Sequence, residues 1–167
     1  ISVVIFAYNE AERIRDVLDS FSWADERIVF DKSSTDTTCA VAAEYGAVHT
    51  IEFSEGSGQF DSIWVPDYVS NDWIFIATCS DIIDRKLGEF LANMSDDYQY
   101  DVISIPFKNY IYGISSKSSP WPITGKSLLA RKDVVNYKNI LHQELQYTSN
   151  RQLIINGSNG YVHHFSN

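Results

Sequence analysis

Cationic charge is in short supply in this chain. Thirteen Lys and Arg stand against 22 Asp and Glu, giving a formal net charge of −9 and a pI near 4.7. A polyanionic backbone would be repelled by such a surface, so nucleic acid is excluded as a partner class. No apolar run approaches the roughly 20 residues that cross a bilayer. No secretory leader is visible, although the abrupt start on a strand at Ile1 leaves room for a preceding segment. The two cysteines, Cys39 and Cys79, have neither metal-ligand spacing nor a disulfide framework and read as buried free thiols in a reducing, cytoplasmic setting. Internal repeats, low-complexity tracts and linkers are missing as well. At 167 residues and 19.0 kDa the chain reads as one domain, long enough to bury a sizeable core.

What is present begins at once. Val3 to Phe6 is a continuous apolar run, the pattern of a strand buried on both faces. Asn9, followed three residues on by Glu12, has the spacing of a helix-capping box. Ile14, Val17, Leu18 and Phe21 then recur at helical spacing, with Arg13, Arg15, Asp16 and Asp19 turned to water. A second strand, about Arg27 to Asp31, runs into the acidic turn Asp31-Lys32-Ser33-Ser34-Thr35-Asp36. Ser34 or Thr35 is placed to cap a second helix, with Asp36 in its first turn. That helix carries a stripe of Thr38, Val41, Ala42 and Tyr45, and Gly46 is read as its left-handed stop. A third short strand near Val48 to Phe53 completes a β-α-β-α-β unit with parallel strands and right-handed crossovers. Ligands of such sheets sit at the carboxyl ends of the strands. The polar groups gather there, at Tyr8-Asn9-Glu10 and at Asp31, as a site or as plain turn chemistry.

These residues resemble glycosyltransferase family 2 of GT-A fold. The likeness is carried by Ser2-Val3-Val4-Ile5, by Tyr8-Asn9-Glu10 and by Asp31-Lys32-Ser33-Ser34-Thr35-Asp36-Thr37-Thr38. Trp23-Ala24-Asp25-Glu26 and Ala42-Ala43-Glu44-Tyr45-Gly46-Ala47 resemble the bacterial lipopolysaccharide-core branch. The resemblance implies an α/β Rossmann-like three-layer sandwich around a mostly parallel mixed sheet. It implies a nucleotide-binding half over about 1–84 and an acceptor half over about 85–167. The implied activity is inverting transfer of a sugar from a nucleoside-diphosphate donor, a UDP-sugar, to a glycan or lipid-linked acceptor. In that reading Asp31 accepts a hydrogen bond from the base, Tyr8 stacks on it and Glu10 reaches base or ribose. Ala7, Asn9 and Lys32 complete the nucleotide site. The competing class, a nucleotidyltransferase, needs a basic Gly-rich loop after the first strand, and Ala7-Tyr8-Asn9-Glu10 offers none.

The middle of the chain departs from the pattern. A helix is expected around Ser62 to Val69, then a buried strand at Trp73-Ile74-Phe75-Ile76. The resemblance implies Asp-x-Asp at that strand's end, holding Mg²⁺ or Mn²⁺ on the diphosphate. Thr78-Cys79-Ser80 stands there instead, with Asp81 next to it. Three readings stay open: Asp81 holds the divalent cation with water and phosphate oxygens, Lys or Arg replaces the cation, or catalysis is lost and a nucleotide- or glycan-binding scaffold remains. Alternatively, Asp81 merely caps the following helix, Asp84 to Leu91.

Further segments resemble the family in the last third. Trp121 and Lys126 sit in a Trp-Pro…Lys segment, and Ser115 to Pro122 reads as an active-site loop. Ile140-Leu141-His142-Gln143-Glu144 resembles a Val-His-Glu element, and His163-His164-Phe165 a closing His-Tyr element. Inversion needs a base for the acceptor hydroxyl, and Glu144 is the carboxylate at the implied place, with His142 beside it. Trp121, Lys126 and His164 are the implied acceptor or diphosphate contacts. Tyr110, Tyr112 and Trp121 are the aromatics through which a lipid-linked acceptor at the inner membrane face would be met.

Overall fold

The computed structural model describes residues 1–51, 65–94, 99–111, 113–115, 124–137 and 145–166. Its first strand, β1 (Ser2–Ala7), is buried along its whole length. It alternates faces: Val3, Ile5 and Ala7 join one core cluster, and Val4 and Phe6 the other. An uninterrupted apolar run is what a strand needs when both of its faces are covered. The helix α1 (Ile14–Ser20) lays Ile14, Val17 and Leu18 on the first face, with Phe21 just past its end. The strand β2 (Glu26–Asp31), the helix α2 (Thr38–Ala43) and the strand β3 (Ala47–Thr50) complete the expected unit, with β1–β2 and β2–β3 both parallel.

The remaining elements are β4 (Trp73–Thr78), β5 (Asp81–Ile83), α3 (Arg85–Ala92), β6 (Val102–Ile111), β7 (Thr124–Arg131), β8 (Val135–Asn136), β9 (Gln146–Tyr147), β10 (Gln152–Ile154) and β11 (Val162–Ser166). They form one mixed sheet in the order β3-β2-β1-β4-β7-β6-β11-β5, with β10 also on β6 and a separate β8–β9 ribbon. Five of its pairings are parallel and three antiparallel, two of the latter flanking β7. Because β7 runs against both β4 and β6, the carboxyl ends of β1, β2, β4, β6 and β11 share one edge of the sheet.

Three layers result. Buried residues of α1, α2 and α3 cover one face around Phe21 and Phe75, whose rings meet edge to face at 5.2 Å. On the other face Val65, Val69, Val135 and Tyr137 pack on Phe6, Phe30 and Ile74. Asp101, just before β6, pairs at 2.5 Å with Arg151, just before β10, with Ser149 and Arg131 beside it.

Local signals failed in instructive places. Asn9 does not cap α1. The helix begins after Arg13 with no side-chain cap, while Asn9 takes φ 53° and its Oδ1 accepts from the Thr35 amide at 2.8 Å. Neither Ser34 nor Thr35 caps α2, whose N-cap is Thr37. Asp36 lies before the helix rather than in it, and its Oδ1 accepts from the Thr38 amide at 2.9 Å. In each case a partner in the other turn was available, and sequence spacing within one turn does not register it. Gly46 is not left-handed either. A Cβ there would fall on the Arg27 carbonyl oxygen, so close approach of chains demands the glycine. The stretch expected as a helix around Ser62 to Val69 has a single 3-10 turn, Val65–Asp67, in its described part. Asp84, not Asp81, precedes α3.

Candidate functional site

The ends of β1 and β2 lie side by side, with Ala7 paired to Asp31 and the Lys32 amide donating to the Ala7 carbonyl at 2.8 Å. Two turns leave this point and are bolted together by side chains. Ser34 Oγ donates to Asp31 Oδ1 at 2.5 Å and accepts from the Asn9 amide at 2.8 Å. The Ser34 amide donates to the other Asp31 oxygen at 2.8 Å. Thr38 Oγ1 donates to Asp36 and accepts from the Glu10 amide at 2.8 Å, and the Ala11 amide reaches Asp36 Oδ2 at 3.2 Å. These bonds to Thr38 hold the Asp36 carboxyl below the usual carboxylate range. Asn9 and Ser33 both sit at positive φ, 53° and 58°, a backbone strain that clusters at functional sites.

The expected nucleotide residues therefore converge, but not in equal standing. Tyr8 is 54% exposed at the rim. Asp31 is fully buried, its carboxylate engaged by Ser34, with Cys39 near enough that the thiol is pushed up to about 11 by burial and then by Asp31. Glu10 is held by Arg13 through two bonds of 2.9 and 3.2 Å. Lys32 is partly buried, and that burial lowers its pKa. The two cysteines are indeed free, though Cys39 is only half-buried.

A second cluster forms where β4 ends. Asp81, 4% exposed, accepts at Oδ2 from the Thr78 amide at 2.8 Å and from Thr78 Oγ1 at 2.9 Å. Its Oδ1 meets His164 Nδ1 at 2.7 Å, because antiparallel β5–β11 pairing sets Asp81 opposite His164. The His164 ring lies 5.4 Å from that of Phe107, and the Lys126 ammonium stands 3.9 Å from the centroid of the same Phe107 ring. Lys126 and His164, far apart in sequence, thus both pack on Phe107, and Asp81 bonds the second of them. The Cys79 thiol, donating to the Phe6 carbonyl at 3.7 Å, joins this cluster to β1.

Trp121, His142 and Glu144, along with Tyr112 and most of the Ser115 to Pro122 loop, lie outside the described residues. Sequence reading missed the bridging roles of Ser34, Thr38 and Thr78. It also missed a chain running from Tyr110 Oη to His163 Nδ1 at 2.9 Å, and from His163 Nε2 to Asp84 Oδ1 at 2.9 Å. Alternation along β11 separates His163 from His164 and was the available signal. A cavity of about 420 Å³ lined by Glu26, Arg27, Tyr45 and Asn71 lies at the opposite, amino-terminal edge of β2 and β3, away from both clusters. Among the described residues no helix is long and apolar enough to cross a membrane.

A mostly parallel sheet with polar turns converging at its carboxyl edge is the architecture of α/β proteins that bind ligands at that edge. The model of glycosyl transferase family 2 matches residues 2–153, and the chain belongs to that family. Solved structures agree in fold. The chain matches residues 1–349 of Staphylococcus aureus TarS in complex with UDP-GlcNAc at a TM-score of 0.72 and 18% identity, over 99% of this chain and 58% of that one. The TarS complex with UDP matches at 0.71 and 17%, over 99% and 60%. This chain thus spans less than two thirds of those TarS chains. Glucosyl-3-phosphoglycerate synthase from Mycobacterium tuberculosis, in complex with Mn²⁺, UDP and phosphoglyceric acid, matches at a TM-score of 0.48 and 24% identity. That match covers 65% of this chain and 42% of the other, a likeness too distant to bear on the metal here.

Proposed function

We propose that this chain binds a nucleoside-diphosphate sugar, of UDP type, across the carboxyl ends of β1, β2 and β4. It transfers the sugar, with inversion, to a glycan or glycolipid acceptor such as one of lipopolysaccharide-core type. The observation that carries the reading is the exposed Tyr8 ring beside the bolted Asp31 turn on adjacent parallel strands. The binding of UDP and UDP-GlcNAc by TarS, whose fold this chain shares, supports the choice of nucleotide. Residues 1–84 supply the nucleotide half and 85–167 the acceptor half. Tyr8 offers a flat face for the base, and Asp31 holds Ser34 and the loop backbone at the height the base needs. Glu144, with His142 two residues before it, is the acceptor-side base in this reading.

A divalent cation on the diphosphate does not fit the described donor set. Hard cations take carboxylate oxygens, Thr78, Cys79 and Ser80 have none, and both Asp81 oxygens already serve three donors.

Isothermal titration of the chain with UDP tests the proposal. Binding is expected, and Tyr8→Ala weakens it by about tenfold, the lower range of ring–base stacking. Absence of UDP binding would refute the reading. The altered Asp-x-Asp position favours one second reading, a binding protein that has lost transfer. Release of UDP from UDP-GlcNAc, with and without an added acceptor glycan, separates the two.

A further inference from the structure

A diphosphate brings two or more negative charges into a donor site, and something positive must meet them. In this chain the usual carboxylate scaffold for a cation is dismantled at each position. Thr78 spends its amide and hydroxyl on Asp81. Cys79 is 3% exposed and spends its thiol on the Phe6 carbonyl. Ser80 gives its carbonyl to the Phe165 amide at 2.9 Å. Asp81 is buried, and turning it toward an ion would strand the Thr78 amide and the His164 ring. Among the described residues no three His, Cys, Asp or Glu side chains are grouped as metal ligands.

The Phe107 ring gathers a different set. Lys126, an exposed side chain on β7, holds its ammonium over the buried Phe107 ring. It has no carboxylate partner among the described residues. On that ring also lies His164, whose orientation Asp81 fixes through Nδ1, leaving Nε2 with no partner among the described residues. The ammonium is a strong phosphate donor that needs no fixed coordination geometry.

We propose that the donor's diphosphate is met here by the Lys126 ammonium, held on the same Phe107 ring that the Asp81-oriented His164 packs against, in place of a divalent cation. This rests on the UDP-sugar reading above. Lys126 supplies the charge, Phe107 holds the lysine stem at its station, and Asp81 is a positioning residue for His164 rather than a ligand.

The test compares uridine, UMP and UDP by isothermal titration in excess EDTA and in excess Mn²⁺. It is joined by electron paramagnetic resonance of Mn²⁺ with the protein alone and with UDP. UDP is expected to bind in EDTA, with an affinity that Mn²⁺ leaves within about threefold, less than one ion contact contributes. Lys126→Met, which keeps the stem over Phe107, lowers UDP affinity by about tenfold and leaves uridine unchanged; Lys126→Arg restores most of it. The double change Thr78→Asp with Ser80→Asp creates bound Mn²⁺ where the unaltered protein has none. UDP binding that appears only with Mn²⁺, or an unchanged affinity in Lys126→Met, overturns the inference and leaves the nucleotide reading standing. Failure of uridine and UDP alike to bind in either medium overturns both.

Discussion

Ser34→Ala is the sharpest single probe of the nucleotide turn. The Ser34 hydroxyl donates to the buried Asp31 carboxylate at 2.5 Å and accepts from the Asn9 amide at 2.8 Å. Removing it strips one donor from a carboxylate with no solvent exposure, while the Ser34 amide and the Cys39 thiol remain to serve it. A hydrogen bond to a charged group contributes about 1.5–3 kcal/mol, and the Asn9 amide, being exposed, recovers water at little cost. The expected loss is therefore about 2 kcal/mol, or about 4–8 °C in melting temperature for a chain of this size. The two turns also lose one of their bolts, so Asn9, held at φ 53°, relaxes and Tyr8 with it. UDP affinity should fall by about fivefold or more, as one kcal/mol of binding free energy requires. Chemical denaturation and titration with UDP measure the two effects on one sample. A stability change under about 0.5 kcal/mol together with unchanged UDP affinity would refute the idea that Ser34 couples the turns.

Two further outcomes follow from the packing and the charges. Phe75→Ala empties a fully buried position between Phe21 and Trp23, so urea unfolding should show a loss of about 3–5 kcal/mol, and a loss below about 1 would mean the core is not the one described. The Asp101 carboxyl is held below its ordinary value by the Arg151 guanidinium and then by Ser149. A lowered native pKa stabilises the fold above the unfolded value of about 3.9 and loses that contribution as pH falls through the native pKa. Unfolding midpoints measured from neutral pH down into acid should therefore drop less steeply for Asp101→Asn than for the unaltered chain. Parallel curves would remove Asp101 from the acid response.

The lesson of the misplaced caps concerns range. Asn9, Ser34, Thr35 and Asp36 were read by their spacing to the next helix, yet each bonds across to the opposite turn or within its own. A short polar side chain satisfies whichever free amide lies nearest, and strand pairing sets that. Asp81 is the same case: as a lone carboxylate it read as a metal ligand or a helix cap, and β5–β11 pairing made it the partner of His164.

The pattern of apolar residues alone determined the β-α-β-α-β order, the burial of β1 on both faces and the inward stripe of α1, because burial periodicity is a local property of the chain. The turns at Tyr8 to Glu10 and Asp31 to Thr38 were equally legible as a likeness to family 2, since their residues are contiguous. What tertiary structure decided was the meeting of residues separated by dozens of positions. It inserted β7 antiparallel between β4 and β6, and it brought Lys126 and His164 to Phe107 and Asp81. Such meetings depend on strand order and register, which arise only when the whole sheet closes over its two cores.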